Sequence, residues 1–347
     1  MLQQKEVIES NTQTPVTPER LMQFAFGYAP SLVLEAALQH RVFDVLNESA
    51  KTVEQVSEAT GASVRGLRAI MNTLVSLSLL AKDEGQRYSL TPESSTFLVS
   101  TKPSFLGGLL HHTIREILQQ WINLPDIVQT GKPALAVNQE TTGAAYFEAF
   151  VPALFPVAYP SAQVLAKVLN LAHTQQPIAV LDLAAGSGVW GIALAQASPQ
   201  VRVTAIDWAE VIPVTQRMAA QHGVADRVQC LAGDLSDVDF GRGYQVATLG
   251  QILHSEGEAR SRQLLAKVFA ALAPGGTIAI AEWLANTDHS GPIKAMIFAV
   301  NMLVHTDEGD TFSADEIGGW LHEAGFVDVR SIAVPAPFPL LLATKPA

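Results

Sequence analysis

Cysteine is almost absent: of 347 residues only Cys230 carries a thiol. A lone thiol excludes an intramolecular disulfide and any multi-cysteine metal centre, and it suits a reducing compartment. Its simplest role is that of a small core side chain. Positive charge is scarce as well. Lys and Arg number 22 against 33 Asp and Glu, a net charge of -11, so the overall field repels nucleic acid and anionic membrane, and neither is an expected partner. Long apolar runs are also missing, because charge or proline is expected to interrupt each one before the ~20 residues needed to cross a bilayer. Met1 to Pro18 is polar and rich in Thr and Gln, without the basic start and apolar run of a signal peptide. It reads as a disordered lead, residues 1–17, to a cytoplasmic protein.

The length is sufficient for two domains. Over residues 18–46, Leu21, Phe24, Leu32, Leu34, Ala37 and Leu38 recur at helical spacing, which predicts two helices broken near Pro30. Thr52 to Gly61 predicts a short capped helix ending at glycine, followed by a helix from Ser63 to Leu80 and a strand over Arg87–Thr91. Helix, tight turn, helix and β-wing over residues 18–100 make a winged helix-turn-helix. A DNA-reading version needs a basic, amide-rich second helix, whereas Ser63–Leu80 offers only Arg65 and Arg68. The module therefore reads as a dimerisation scaffold, with a transcriptional regulator as the non-enzyme alternative. Residues 101–176 are expected to be a helical linker. Its aromatic and His side chains, among them Phe105, His111, His112, Trp121, Tyr146 and Phe150, either pack the core or roof an apolar pocket.

Over residues 177–347 strands alternate with helices, the pattern of a Rossmann-like, doubly wound parallel sheet. Strands are expected at 178–183, 201–206, 228–232, 245–249 and 277–281. A final pair, 327–334 and 338–344, joined by Pro335-Ala336-Pro337, reads as a terminal antiparallel hairpin. In such sheets ligands sit outside the carboxyl ends of the strands. The first of those loops, Gly186-Ser187-Gly188-Val189-Trp190-Gly191, matches the dinucleotide fingerprint, and Asp207 lies at the distance of a ribose-binding acid. Two features point away from a dinucleotide. Asp182 ends the strand before the glycines, where it would repel a pyrophosphate and attract the ammonium and sulfonium of S-adenosylmethionine. The tight turn also begins early, at Ala184-Ala185, so that small residues let the backbone approach the cofactor. Asp207 and Trp208 are placed at the ribose and adenine, Gly233, Asp234 and Leu235 at the adenine amino group, and Gln251 in the loop after the fourth strand.

Here the chain resembles the class I S-adenosylmethionine-dependent methyltransferases, and more closely the small-molecule O-methyltransferases of plants and bacterial secondary metabolism. The resemblance rests on Asp182 to Gly188, Asp207, Gly233-Asp234, Leu253-His254, Pro274-Gly275-Gly276 and Glu323-Ala324-Gly325-Phe326. It implies an intertwined homodimer formed through the N-terminal module, and His254 as general base. An imidazole near pKa ~6.5 is a fitting acceptor for the proton of a phenol near ~10. Where relatives place an acid directly after that histidine, this chain has Ser255, so Glu256 or Glu258 is the expected orienting partner. Phe298, Asn301, Met302 and His305 fall on one face of a helix over 294–304 and, with Phe150, are expected to line the acceptor pocket or to serve as core. His305 to Asp310 lacks the spacing of a known metal site, and no metal is expected. C- or N-methylation, and cofactor binding without transfer, stand as alternatives.

Overall fold

A computed structural model describes residues 16–133, 135–334 and 337–347. The polar lead therefore lies almost wholly outside the described residues, as do Pro335 and Ala336 of the hairpin link. The chain divides after Ser95 into two compact units.

The first unit holds α1 (Glu19–Ala25), α2 (Ala29–Gln39), α3 (Val42–Glu48), α4 (Val53–Thr60) and α5 (Val64–Ser76), then β1 (Leu80–Lys82) and β2 (Tyr88–Leu90). The first break falls ahead of Pro30, which sits in the opening turn of α2, where its missing N–H leaves no bond unmade. Arg41, at φ +55, starts the separate helix α3. α4 carries a capping box between Thr52 and Gln55 and ends on Gly61 at φ +72. α5 is capped by Ser63 and stops at Ser76; the expected continuation to Leu80 is instead a turn into β1, which pairs antiparallel with β2. Leu67, Met71 and Leu74, at helical spacing, turn the apolar face of α5 to the core, while Arg65 and Arg68 are exposed and Arg68 pairs with Glu54. One expectation fails here. Residues 19–39 make a helical stretch of 21 residues with mean hydropathy 1.3, long and apolar enough by that test to cross a bilayer. Leu21, Met22, Phe24, Phe26 and Tyr28 of that stretch are exposed.

α6 (Pro92–Phe97) leads into the second unit, which continues with α7 (Gly107–His112), a π-helical turn (Thr113–Ile117), α8 (Leu118–Trp121), α9 (Leu124–Thr130) and α10 (Glu140–Val168). α10 contains Pro152, Pro156 and Pro160 and bends by 68° between 140–148 and 150–168, since the Pro152 ring displaces the carbonyl four residues earlier. There follow β3 (Ile178–Leu183), α11 (Val189–Ala197), β4 (Val201–Asp207), α12 (Ile212–Gln221), β5 (Val228–Ala232), β6 (Tyr244–Gly250), α13 (Leu253–Ala271), β7 (Leu272–Ala281), α14 (Ile293–His305), α15 (Ala314–Glu323), β8 (Val327–Ile332) and β9 (Leu340–Thr344). The sheet order is β5-β4-β3-β6-β7-β9-β8. Its first five strands run parallel, and β9 lies antiparallel between β7 and β8. Alternate residues of β3 feed opposite layers. Val180 packs with Ile192, Leu194 and Leu165, and Leu181 with Leu264, Leu265 and Val268. Order reverses at β3 and β6, so the ends of these two strands flank the crevice in which such sheets bind ligands.

Candidate active site

The loop after β3 is built from backbone conformations that most residues avoid. Ala184 lies at φ +48, Gly186 at +55 and Gly188 at +73; for alanine that region costs about 1 kcal/mol or more. The turn holds because its groups are tied down. Ala185 N donates to Ile206 O (3.1 Å) and Gly188 N to Ala185 O (2.6 Å). Thr215 Oγ1 donates to Gly186 O (2.7 Å). Ser187 is buried. Gly191 serves helix–strand packing, since a Cβ there would fall 2.6 Å from Val203 Cγ1 and 2.9 Å from Asp182 Oδ2.

Asp182 corrects an expectation. Its carboxylate is wholly buried, accepting from Gly191 N at 2.9 Å and from Thr248 Oγ1 at 2.7 Å. Burial pushes its pKa up to about 7 against those two bonds. It fixes α11 and β6 to β3, and presents no oxygen to the crevice. Asp207 is less deeply set at the end of β4. Its Oδ2 accepts from Gly186 N (2.6 Å) and its Oδ1 from Trp208 N (2.7 Å), and burial raises its pKa to about 6. A carboxylate has about four lone-pair positions, so acceptor capacity remains. Trp208 Nε1 donates to Asp234 Oδ2 at 3.2 Å. Asp234 also accepts from Ser236 N and Oγ. Burial alone would raise its pKa, but the bonds from Ser236 and Trp208 and the charge of Arg260 outweigh it and hold the group below the usual range. Gly233 N donates to Asp207 O (2.9 Å), and Leu235 packs into the core beside Phe240. Gln251 follows β6 at φ +63. Its amide Nε2 is buried and meets no hydrogen-bond partner among the described residues.

His254 opens α13, and its partner is neither of the expected acids. Glu256 is engaged by Arg260 (2.5 Å) and Glu258 by Arg262 (2.7 Å). Instead Glu282, buried at the end of β7, accepts from His254 Nδ1 through Oε2 at 2.6 Å and from Leu253 N through Oε1 at 2.8 Å, with His254 N at 3.4 Å. At the start of α13 this carboxylate receives backbone N–H donors that the helix itself leaves unpaired. Because it can only accept, Nδ1 carries the proton and Nε2 keeps its lone pair. Glu282 was legible as an acid at the carboxyl end of an apolar strand, the same signal that marked Asp207.

The acceptor-side residues divide into two groups. Phe298 meets the His254 ring edge-on at 4.9 Å and stacks on Trp283 at 5.1 Å. Asn301 Oδ1 accepts from Trp121 Nε1 at 3.0 Å, Met302 is 5% exposed, and His305 Nδ1 lies 2.9 Å from Asn301 O. Phe150 sits apart from His254 in the contacts it makes, stacked on His112 at 4.2 Å near Tyr146. His112 and Tyr146 also border an apolar cavity of about 1150 Å³ between α7 and α10. Neither His254 nor the glycine loop borders it.

Residues 121–327 match the O-methyltransferase domain and residues 22–100 the O-methyltransferase dimerisation domain. The chain is 27% identical over 325 residues to the 3-hydroxy-5-methyl-1-naphthoate 3-O-methyltransferase of Streptomyces sahachiroi, covering 92% of each. It is 31% identical to the acetylserotonin O-methyltransferase of Bos taurus over 356 residues, 94% of this chain and 97% of the relative. The human N-acetylserotonin methyltransferase, solved in complex with S-adenosylmethionine, superposes with a TM-score of 0.82 at 25% identity, covering 96% of this chain and 99% of that one. With the strand-end acids, the glycine loop and the ordered histidine in place, these matches mean that the chain belongs to the S-adenosylmethionine-dependent O-methyltransferases that carry an N-terminal dimerisation domain.

Proposed function

We propose that this enzyme methylates a hydroxyl group on an aromatic or polyketide-like small molecule, with His254 as the general base. The observation that carries the reading is the 2.6 Å bond from His254 Nδ1 to Glu282. It fixes the tautomer whose Nε2 can take a proton from a hydroxyl, and the buried carboxylate stabilises the imidazolium that results. A relative acting on a naphthoate and another acting on acetylserotonin support an aromatic acceptor, as do Phe298 and Trp283 beside the base.

The crevice residues suit the cofactor chemically. Asp207 offers lone pairs to ribose hydroxyls, Trp208 an indole face to a base, Asp234 a further acceptor, and the loop Ala184, Gly186, Ser187, Gly188 a close backbone. The orphaned amide of Gln251 is a buried donor suited to a carboxylate or ring nitrogen. S-adenosylmethionine, when bound, supplies a methyl group on a good leaving group, so the protein's part is alignment and removal of the acceptor's proton. Asp182 acts at one remove, by pinning the loop and α11.

The protein works, in this reading, as a cytoplasmic homodimer without nucleic-acid or membrane partners. Exposed Met22, Phe24, Phe26 and Tyr28 belong to the matched dimerisation segment, and a second copy covers them. The test is a mixture of purified protein, labelled S-adenosylmethionine and a panel of phenols. Transfer that is lost in His254→Ala supports the base; full activity in that variant removes it.

A further inference from the structure

A second imidazole on α14 is set up as carefully as the first. His305 is 3% exposed. Its Nδ1 lies 2.9 Å from the Asn301 carbonyl, which can only accept, so the proton resides on Nδ1 and Nε2 is a bare acceptor. That Nε2 is buried and meets no hydrogen-bond partner among the described residues. Burial, opposed by the Asn301 bond, holds the ring below the ordinary imidazole pKa and so keeps it neutral. The support is firm, because Trp121 Nε1 binds Asn301 Oδ1 at 3.0 Å. A buried acceptor left alone carries an uncompensated desolvation cost, and a group that donates to it recovers that cost.

An aromatic cluster lies near His305. His112, whose Nε2 is also buried and unpartnered among the described residues, stacks on Phe150 at 4.2 Å and meets Tyr146 edge-on at 4.7 Å. It lies close enough to His305 for the charge of either ring to disfavour protonation of the other. Phe298, which touches His254, precedes His305 by seven residues on the same face of α14, about 10 Å along the helix.

We infer that His305 Nε2 accepts a hydrogen bond from a second donor, a hydroxyl or ring N–H, at the end of the acceptor molecule remote from the hydroxyl that His254 deprotonates. The preferred acceptor is then a planar aromatic about two or three fused rings long, with donors at both ends. This rests on the proposed methylation of an aromatic hydroxyl and adds what that reading leaves open.

The test uses a matched pair of probes, 2,6-dihydroxynaphthalene and 6-methoxy-2-naphthol, which differ only in whether the remote oxygen can donate. Counting the two equivalent hydroxyls of the first, wild-type kcat/KM is expected to favour it by at least about tenfold, the loss tied to one unmade bond to a buried group. His305→Phe narrows the preference to within about threefold. His305→Gln, whose amide accepts or donates, restores turnover of the dihydroxy probe and admits the methoxy probe. Nitrogen NMR of the wild type shows His305 Nε2 as the unprotonated, pyridine-type nitrogen. Equal kcat/KM for the two probes in wild type, or an unchanged preference in His305→Phe, overturns the inference while leaving aromatic hydroxyl methylation standing. Turnover of neither probe, nor of any phenol in the panel, overturns both.

Discussion

Replacing Glu282 with Gln exchanges one carboxylate oxygen for an amide nitrogen and leaves shape and volume nearly intact, so its consequences follow from hydrogen bonding and from the loss of one negative charge. In the native site Oε1 accepts from Leu253 N and His254 N, and Oε2 accepts from His254 Nδ1. An amide cannot do both. With its oxygen kept on the backbone N–H groups, its NH2 faces Nδ1, and the ring must turn Nδ1 into an acceptor and carry its proton on Nε2, where a base is needed. With the amide flipped, two donors face the buried helix start, at about 1–3 kcal/mol. The first outcome is the less costly one. A histidine base switched to the wrong tautomer by such a change loses roughly 10⁴-fold in rate, and general base catalysis as a whole supplies about 10²–10⁴. The expected fall in kcat is therefore about 10²–10⁴, or about 3–5 kcal/mol, with cofactor affinity unchanged because Glu282 is not among the crevice acids. The assay is single-turnover transfer of labelled methyl, with nitrogen NMR reporting the His254 tautomer. Activity within about threefold of wild type, with Nε2 still unprotonated, refutes the orienting role of Glu282.

Two further substitutions probe the cofactor side. Gln251→Leu removes a buried amide donor that has no partner among the described residues, so the cofactor-free protein gains about 1–2 kcal/mol while S-adenosylmethionine binds about tenfold more weakly. Thermal unfolding and calorimetry read the two opposite signs, and a loss of both stability and affinity contradicts the assignment. Asp182→Asn tests the buried carboxylate through pH. Its folded pKa, about 7, lies above the 3.8 of the free group, so the folded state holds the proton more tightly and stability falls as pH rises through that window, levelling off above about 7. Three units at 1.36 kcal/mol each set a ceiling of about 4 kcal/mol. Asp207, raised to about 6, adds slope only below about that pH. Urea unfolding of the cofactor-free protein between pH 6 and 8 therefore shows a decline in wild type and a nearly flat Asn variant; equal slopes refute it.

The sheet was legible because buried parallel strands read as short apolar runs between turn residues; the expected strands formed near their predicted bounds except that β7 begins at Leu272, five residues before the expected Thr277. The ends misled where a local backbone state overrode the pattern. Arg41 in the left-handed region split a helix that periodicity ran together, and Leu80 carried its hydrophobicity into a strand after a turn. His254 was singled out from its place after β6, and its hydrogen-bond partner was missed because sequence proximity to His254 was weighed above position in the sheet. β7 adjoins β6, so the residues that end these two strands are neighbours in space although 28 residues separate them in sequence. The role of residues 101–176 was least legible, because their aromatics are spaced equally well for core packing and for lining a ligand.

The carboxylates at the strand ends divide their labour by depth. Asp182 was to distinguish a sulfonium site from a dinucleotide site by its charge, yet a buried group raised to about 7 is only partly ionised near neutrality, and both its oxygens face inward. In the proposed site the discrimination falls to Asp207, which keeps spare lone pairs, and to the buried, neutral amide of Gln251. Neither offers the positive charge with which a pyrophosphate is usually met, and the glycine loop Ala184–Gly188 contains no Lys or Arg. Glu282 stands at the other extreme. It is nearly as buried as Asp182, but its Oε2 accepts from His254 Nδ1, and in the proposed mechanism it stabilises the imidazolium as that forms. In the proposed mechanism the glycine loop positions the donor of the methyl group, and Glu282 orients the base that takes the acceptor's proton.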